Sequence, residues 1–390
     1  RSTLFPYTTL FRSKGAVKMK FICLRDNFIE AINIVQKAVS TRSTLPILDG
    51  ILIEAINEDK EQEKVKLTGY DLETGIECSF VADIIENGSI VINSRMLGEI
   101  VKKLPDDMVK LETGAGNSVV IESGSAHFSI KGIDSEGYPK IPTVEEYEKI
   151  IIPQQNFRDM IHQTIFAVSN DESRPVLNGC NIKCTDGTVE MVAIDGFRLA
   201  LRRNQLEGEI PDVSFIVPGK SLNEAGRIAE NIKETMEIYK STNHIMFDTG
   251  KVKMVSRLIA GEYMNYNSII PKTAETTLVV SPEVLLSAIE RASLIITSDD
   301  RKFPVRLMTK EDDSLIISSN TEIGSVREEL PITLTGNKID IDFNPRYFID
   351  ALKVIHEDEV SISFNGNMGP CVIRPAEGDD FAYLVLPLRR

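Results

Sequence analysis

The sequence has no apolar run long enough to cross a bilayer as a helix; stretches such as Ile150 to Pro153 and Leu278 to Val280 are strand-sized. It is also short of the residues that build metal and disulfide sites. Four histidines (His127, His162, His244, His356) stand isolated from one another. The five cysteines (Cys23, Cys78, Cys180, Cys184, Cys371) form an odd, scattered set, which fits free thiols in a reducing compartment better than a disulfide framework. Cys180 and Cys184 fall on one predicted strand and lack zinc-knuckle spacing. No dinucleotide fingerprint, phosphate loop or His-Glu-x-x-His occurs, and Gly114-Ala115-Gly116 sits between alternating strands, where a hairpin turn explains it. No metal and no cofactor is therefore expected. The composition points to a soluble, cytoplasmic chain with no membrane partner.

Positive charge is scarce too. The net charge of −14 argues against nucleic acid unless Lys and Arg are gathered on one surface. What is present is an ordinary globular composition, 42% apolar and 26% charged, with no segment polar enough to stay disordered. At roughly 100 to 200 residues per domain, the 390 residues suggest two to four domains. Residues 1–18 nearly repeat themselves (Ser2-Thr3-Leu4-Phe5, Thr9-Leu10-Phe11) and read as a non-native adapter extension, with Met19 the native start.

From Met19 onward the sequence repeats. A helix over Asn27 to Val39 carries Phe28, Ile29, Ile32, Val35 and Val39 at helical spacing. Phe157, Met160, Ile161, Ile165 and Val168 repeat that face, and Leu285, Ile289, Ala292 and Ile296 repeat it again after Ser281-Pro282, a favourable helix start. Each helix leads to a proline opening a strand, Pro46, Pro175 and Pro304, spaced 129 residues apart in both steps. An apolar strand then runs into a polar turn at Asp71, Asp195 and Asn320, with offsets of 124 and 125. A second helix follows near Arg95, Lys220 and Arg346, offset by 125 and 126, and then alternating strands such as Val109 to Glu112, Met236 to Tyr239 and Val360 to Ser363. Each unit reads as an α+β domain with two helices on an antiparallel sheet. Boundaries fall so that the repeats are 19–145, 146–272 and 273–390.

The second helices share a feature: Arg95 and Lys102, Lys220 and Arg227, Arg346 and Lys353 stand seven apart, almost above one another on a helix. A basic stripe recurring at one phase in three repeats suits phosphate contacts that carry no sequence information, while a solvated face is the ordinary alternative. With these helices facing an axis, the basic charge lies inside and the acidic balance outside. Arg42, Arg174 and Arg301, after the first helices, extend the set or belong to solvated loops. Asp71 and Asp195 suit either metal or acid/base chemistry at strand ends or plain turns; Asn320 in the third copy and the Asp-Gly pair favour turns.

Several segments together resemble the bacterial DNA polymerase sliding-clamp family, the polymerase III beta subunit, over Met19 to Arg390. They are Met19-Lys20-Phe21, Thr44-Leu45-Pro46-Ile47-Leu48, Leu67-Thr68-Gly69-Tyr70-Asp71-Leu72-Glu73, Val192 to Ala200, and Tyr383-Leu384-Val385-Leu386-Pro387-Leu388-Arg389. The resemblance implies three clamp (processivity-fold) domains and a ring-shaped homodimer encircling duplex DNA, with no catalysis of its own. It implies DNA contacts from Arg42, Arg95, Lys102, Arg174, Lys220, Arg227, Arg346 and Lys353. An interface would join the region of Phe128 and Ile130 to that of Leu294 and Ile295. A pocket for short apolar peptides would draw Ile194, Gly196, Arg198, Leu199, Met264 and Ile269 from around the second repeat. The third would give it Met368, Pro370, Leu384, Leu386, Pro387, Leu388 and Arg389. The implied partners are the replicative DNA polymerase catalytic subunit, the clamp loader, repair polymerases and other clamp-motif proteins, on the nucleoid during replication. The family often has Thr where Ile194 stands and His where Phe197 stands, which leaves the peptide preference open. From the residues alone, Leu384, Leu386 and Leu388 fit equally an edge strand packing its own core. A metal-dependent phosphoesterase using Asp71 and Asp195, and a protein-binding scaffold without DNA, are the competing readings.

Overall fold

The computed structural model describes residues 18–40, 45–57, 63–145, 147–208, 210–230, 233–296 and 304–389. The adapter-like segment lies almost wholly outside the described residues, as do Arg42 and Arg301. The chain forms two compact units, one of Arg1–Thr143 with Asp248–Val255 and one of Val144–Phe247 with Ser256–Arg390.

In the first unit, helices α1 (Arg25–Val35) and α2 (Ser94–Lys102) pack on each other beside antiparallel strands. One sheet orders Asp83–Glu86, Lys20–Leu24, Met108–Gly114, Ser118–Ser123 and Ala126–Lys131, and the run Thr74–Val81, Lys64–Tyr70, Gly50–Ile56, Gly88–Asn93 forms a second layer. Alternation puts Phe21, Phe28 and Phe80 together in the core, with ring centroids 5.6 to 6.5 Å apart. Gly69 is required there by close approach: a Cβ would lie 2.2 Å from the Val35 carbonyl oxygen.

The second unit carries α3 (Gln154–His162), α4 (Gly219–Ile228), α5 (Pro282–Ser293) and α6 (Pro345–Leu352), packed as α3 on α4 and α5 on α6. A nine-stranded sheet runs through it in the order Val213–Pro218, Gly179–Thr185, Thr188–Ile194, Arg198–Gln205, Phe381–Val385, Cys371–Pro375, Val360–Phe364, Thr276–Val280, Thr333–Gly336. Sequence repeats two and three share this sheet because Arg198–Gln205 pairs antiparallel with the last strand, Leu199 opposite Leu384. The unit also holds a four-stranded sheet of Gly324–Pro331, Ser314–Thr321, Val305–Thr309 and Asp340–Phe343, and the antiparallel pair Glu148–Pro153 and Thr235–Lys240.

Several expectations need correction. The first helices are shorter than their apolar periodicity: α1 passes into a 3₁₀ turn at Gln36–Ala38, α3 ends at His162 before a 3₁₀ turn at Ile165–Ala167, and Ile296 lies beyond α5. A tight final turn keeps the apolar spacing while leaving the α-helix, so periodicity alone overruns the end. Pro46 and Pro175 open 3₁₀ turns (Pro46–Asp49, Pro175–Asn178) instead of strands, since the fixed φ of proline suits a first helical position. Pro304 alone leads straight into a strand. Asn320 is not in a turn: its strand runs on to Thr321, and Thr321 pairs with Gly324 across a two-residue loop.

α5 starts with Pro282 at its first turn, but the Ser281 side chain makes no capping bond. Asn93 and Asn344 do cap α2 and α6, accepting from Met96 N–H and Arg346 N–H. All five cysteines are free and buried. Loss of hydration pushes their thiols up, Cys78 to about 11 and Cys23, Cys180 and Cys184 to about 12.

Candidate functional site

Two surfaces of different chemistry emerge. The first kind is the outward side of each second helix, α2 in the first unit and α4 and α6 in the second. α2, α4 and α6 bury Leu97 and Val101, Leu222 and Ala225, and Phe348 and Leu352, which turns Arg95, Lys102, Lys220, Arg227, Arg346 and Lys353 outward, all exposed. Lys353 stands at the C-cap of α6, still helical. Carboxylates stand beside several of these cations: Arg95 pairs with Glu99 at 3.1 Å, Arg227 with Glu224 at 2.7 Å and Lys353 with Glu290 at 3.0 Å. The Arg95 and Lys353 pairs are exposed and contribute about 0 to 1 kcal/mol, so a phosphate can take these cations at little cost.

The second surface is one face of the nine-stranded sheet where repeats two and three meet. Strand alternation points Val192, Ile194, Leu199, Leu201, Val372, Ala382 and Leu384 to the same side. They form one buried cluster with Leu177 and Tyr266, over which Val176, Tyr263 and Ile270 pack. Ile194, Leu199 and Leu384 are thus brought together, and Leu384 lies on an interior strand, not an edge. Leu386 and Leu388 lie past that strand's end; their N–H groups donate to Phe197 O at 2.9 Å and Asp342 O at 2.8 Å. Met264 and Ile269 are exposed on the connection between repeats, where Tyr266 and Ile270, which the sequence reading missed, make the apolar contacts. Met368 stands outside the cluster in the turn before Cys371–Pro375, 82% exposed, with Pro370 half-buried two residues on. Pro387 is half-buried and Arg389 exposed.

The Asp195 turn closes one end of this face. Asp195 Oδ1 accepts from the N–H groups of Phe197 (2.9 Å) and Arg198 (3.0 Å), and Gly196 takes φ +92°, a left-handed conformation that suits glycine. The Asp195 carboxylate is therefore engaged in holding a turn, as is that of Asp71. Among the described residues no group of three or more His, Cys, Asp or Glu could hold a metal ion.

Arg198 is largely buried and committed on three sides. It donates to Asp195 Oδ2 at 2.9 Å, to Asp350 Oδ2 at 2.6 Å and to the Phe166 carbonyl at 2.6 Å. Its guanidinium lies 4.8 Å from the Tyr347 ring centroid and 5.5 Å from that of Phe166. Phe197, 60% exposed, stacks on Tyr347 with centroids 6.3 Å apart. Arg198 is consequently a strut that positions an aromatic rim. Phe166, Tyr347 and Asp350 escaped sequence reading because nothing local marks residues that meet across such separations. The exposed Arg174, grouped by sequence with the helix cations, places Nη1 3.9 Å from where a Gly196 Cβ would stand, beside this rim.

The remaining expected residues fall on sheet and helix ends. Phe128 and Ile130 lie on Ala126–Lys131, at the margin of its sheet, with Phe128 exposed. Leu294, at the C-cap of α5, is 80% exposed, and the neighbouring Ile295 is half-buried.

Comparison with known proteins adds three consecutive family matches. The descriptions are DNA polymerase III beta subunit, N-terminal domain, over residues 19–142, central domain over 151–265, and C-terminal domain over 267–389. The chain is 38% identical over 385 residues to the beta sliding clamp of Bacillus subtilis, covering 95% of this chain and 100% of that one. It is 37% identical over 380 residues to the beta sliding clamp of Staphylococcus epidermidis, covering 95% and 99%. The crystal structure of the DNA polymerase sliding clamp from Bacillus subtilis superimposes with a TM-score of 0.91 at 36% identity, covering 95% of this chain and 99% of that chain.

Proposed function

The chain belongs to the DNA polymerase III beta-subunit family, and on that premise we propose that it is a sliding clamp, a non-catalytic processivity factor of DNA replication. The observation that carries this reading is the succession of three family domains along one chain, matching the threefold period of its sequence.

DNA and the replicative polymerase are the partners the reading requires. Two copies close a ring around duplex DNA, each using the margin strand with Phe128 and Ile130 against the α5 end with Leu294 and Ile295 of the other. A closed assembly made of two equivalent contacts needs no further subunit. The exposed cations of α2, α4 and α6 face the duplex and touch phosphates weakly, so that topology holds the ring while it slides. The Ile194, Leu199 and Leu384 region, rimmed by Phe197 and Tyr347 and bordered by Arg174, receives an apolar peptide from the polymerase. The clamp loader and repair polymerases compete for it. Tethering by a peptide raises the local concentration of polymerase at the primer end without any chemistry by the clamp. The protein works in the cytoplasm, on the nucleoid. No helix of the described residues is long and apolar enough to cross a membrane.

Retention on DNA tests the reading. With a clamp loader and ATP, the protein should stay on a nicked circle through gel filtration and be lost after a single cut to linear form. Equal retention on both forms would mean ordinary affinity, and no retention on either would overturn the clamp reading. Neutralising Arg95, Lys220, Arg227 and Arg346 together should weaken loading without unfolding the protein. Unchanged loading would remove these helices from the DNA surface.

A further inference from the structure

The sheet face that carries the apolar cluster does not end at that cluster. Alternation along Arg198–Gln205 puts Arg203 on the same side as Leu199 and Leu201, and along Cys371–Pro375 it puts Arg374 on the side of Val372. Between them, at the end of the face away from the Asp195 turn, lies a cavity of about 310 Å³. Its floor is Ala382 and its wall is Ile270 and Pro271 of the inter-repeat connection. Arg203, Lys272, Arg374 and Asp379 supply the charges.

These charges are unevenly engaged. Arg203 is spent: it donates to Glu190 Oε1 at 2.7 Å and to Asp379 Oδ2 at 2.5 Å, while Glu190 Oε2 accepts from the Tyr266 hydroxyl at 2.5 Å. Arg374 gives one N–H to the Pro271 carbonyl at 3.1 Å and stands 4.0 Å from Asp379, too far for a strong bond. A guanidinium has five N–H donors, so most of its capacity remains for a ligand. Lys272 is exposed and, among the described residues, makes no ion pair. Three cations and one carboxylate, Asp379, line the cavity, with Glu190 paired to Arg203, on a chain whose net charge is −14. An acidic ligand repelled by most of the surface is attracted here.

We propose that this cavity is an anionic subsite of the peptide-binding face, in which Lys272 and Arg374 take the carboxylate side chains flanking the apolar segment of a partner. The inference rests on the peptide pocket put forward above and adds a charge preference to it. Spacing supports it: Ala382 is two residues from Leu384 on one strand, about 7 Å at roughly 3.3 Å per residue, within reach of an acidic residue a few positions from an apolar anchor. Charge-assisted contacts through a guanidinium favour carboxylates geometrically as well as electrostatically.

The test uses the full-length chain and fluorescein-labelled peptides read by fluorescence polarisation. The peptides carry an anchor of two leucines and a phenylalanine, either alone or with four aspartates at one end or the other. An acidic extension at one end should tighten binding about ten-fold at low salt, and the gain should shrink as salt rises. The Lys272→Ala/Arg374→Gln variant should lose that gain and bind the unextended peptide as before. Lys272→Ala alone, which breaks no ion pair, should lose part of it, separating the effect from any disturbance at Pro271. The subsite is overturned if the unextended peptide binds and the extension adds nothing, if the gain survives in the double variant, or if both peptides weaken equally. Failure of every peptide to bind the unaltered protein would overturn the pocket itself, and the subsite with it.

Discussion

The turns after Leu67 and after Val192 are copies of one device with different outcomes. Asp71 Oδ1 accepts from Glu73 N–H at 3.0 Å and Thr74 N–H at 2.7 Å; Asp195 Oδ1 accepts from Phe197 and Arg198 at 2.9 and 3.0 Å. Each aspartate donates its own N–H to the carbonyl three residues on, at 3.2 and 3.3 Å. Each turn passes through positive φ at the next residue, +76° at Leu72 and +92° at Gly196. The backbone is therefore the same. The two copies part at the residue that closes the turn, Thr74 in the first and Arg198 in the second, with Phe166, Tyr347 and Asp350 waiting for the guanidinium only in the second. A repeated turn supplies position, and one side chain with non-local partners turns it into a rim.

Arg198→Ala should have the largest effect. It leaves the carboxylates of Asp195 and Asp350 and the Phe166 carbonyl without their shared donor, which should cost about 2 to 4 kcal/mol. Urea unfolding followed by circular dichroism measures it, and peptide binding at the rim should fall at least ten-fold. The matching Thr74→Ala should cost less than Arg198→Ala and leave peptide binding untouched. Equal losses would mean that the two turns do the same work.

Removing the turn carboxylates comes next in size. Asp71→Ala and Asp195→Ala each free two backbone N–H groups and should each cost about 1 to 2 kcal/mol. Asp195→Ala should cost the more, because Arg198 also loses a partner there. A larger loss at Asp71 would place the value of this device in the turn alone.

The period of the repeats was legible because apolar residues at helical and strand spacing mark local structure, and the Asp turns were legible from their chemistry. Pairing between distant strands leaves no local mark. Period two could not tell that Leu384 would lie on an interior strand while Leu386 lay past its end. That distinction depends on Arg198–Gln205, some 180 residues earlier, pairing with Phe381–Val385. Asn320 was misplaced because its equivalence to Asp71 and Asp195 is one of sequence position. Without a side chain folded back onto the backbone ahead, the strand continued into a tighter hairpin. The position of Arg174 beside Gly196 is likewise not marked by its place after a helix.

The smallest effect also discriminates, because it should be a loss in the second copy and close to neutral in the first. Gly196→Leu forces a side chain into φ +92°; a Cβ there meets only Arg174 Nη1 at 3.9 Å, an ordinary contact, so backbone strain of about 1 to 2 kcal/mol, partly offset by the smaller freedom of the unfolded chain, leaves a loss of about 0.5 to 1 kcal/mol. Leu72 already carries that strain in the first copy, and its side chain is half exposed, so removing it also gives up about half of a leucine's burial, about 1 kcal/mol. Leu72→Gly relieves the left-handed conformation but gives the unfolded chain more freedom, a loss of about 0.5 to 1 kcal/mol. The terms should nearly cancel, leaving the urea midpoint and slope close to unchanged. A lower midpoint would mean that Leu72 contributes a contact worth more than its strain, and that the two turns differ in packing as well as in the residue that closes them.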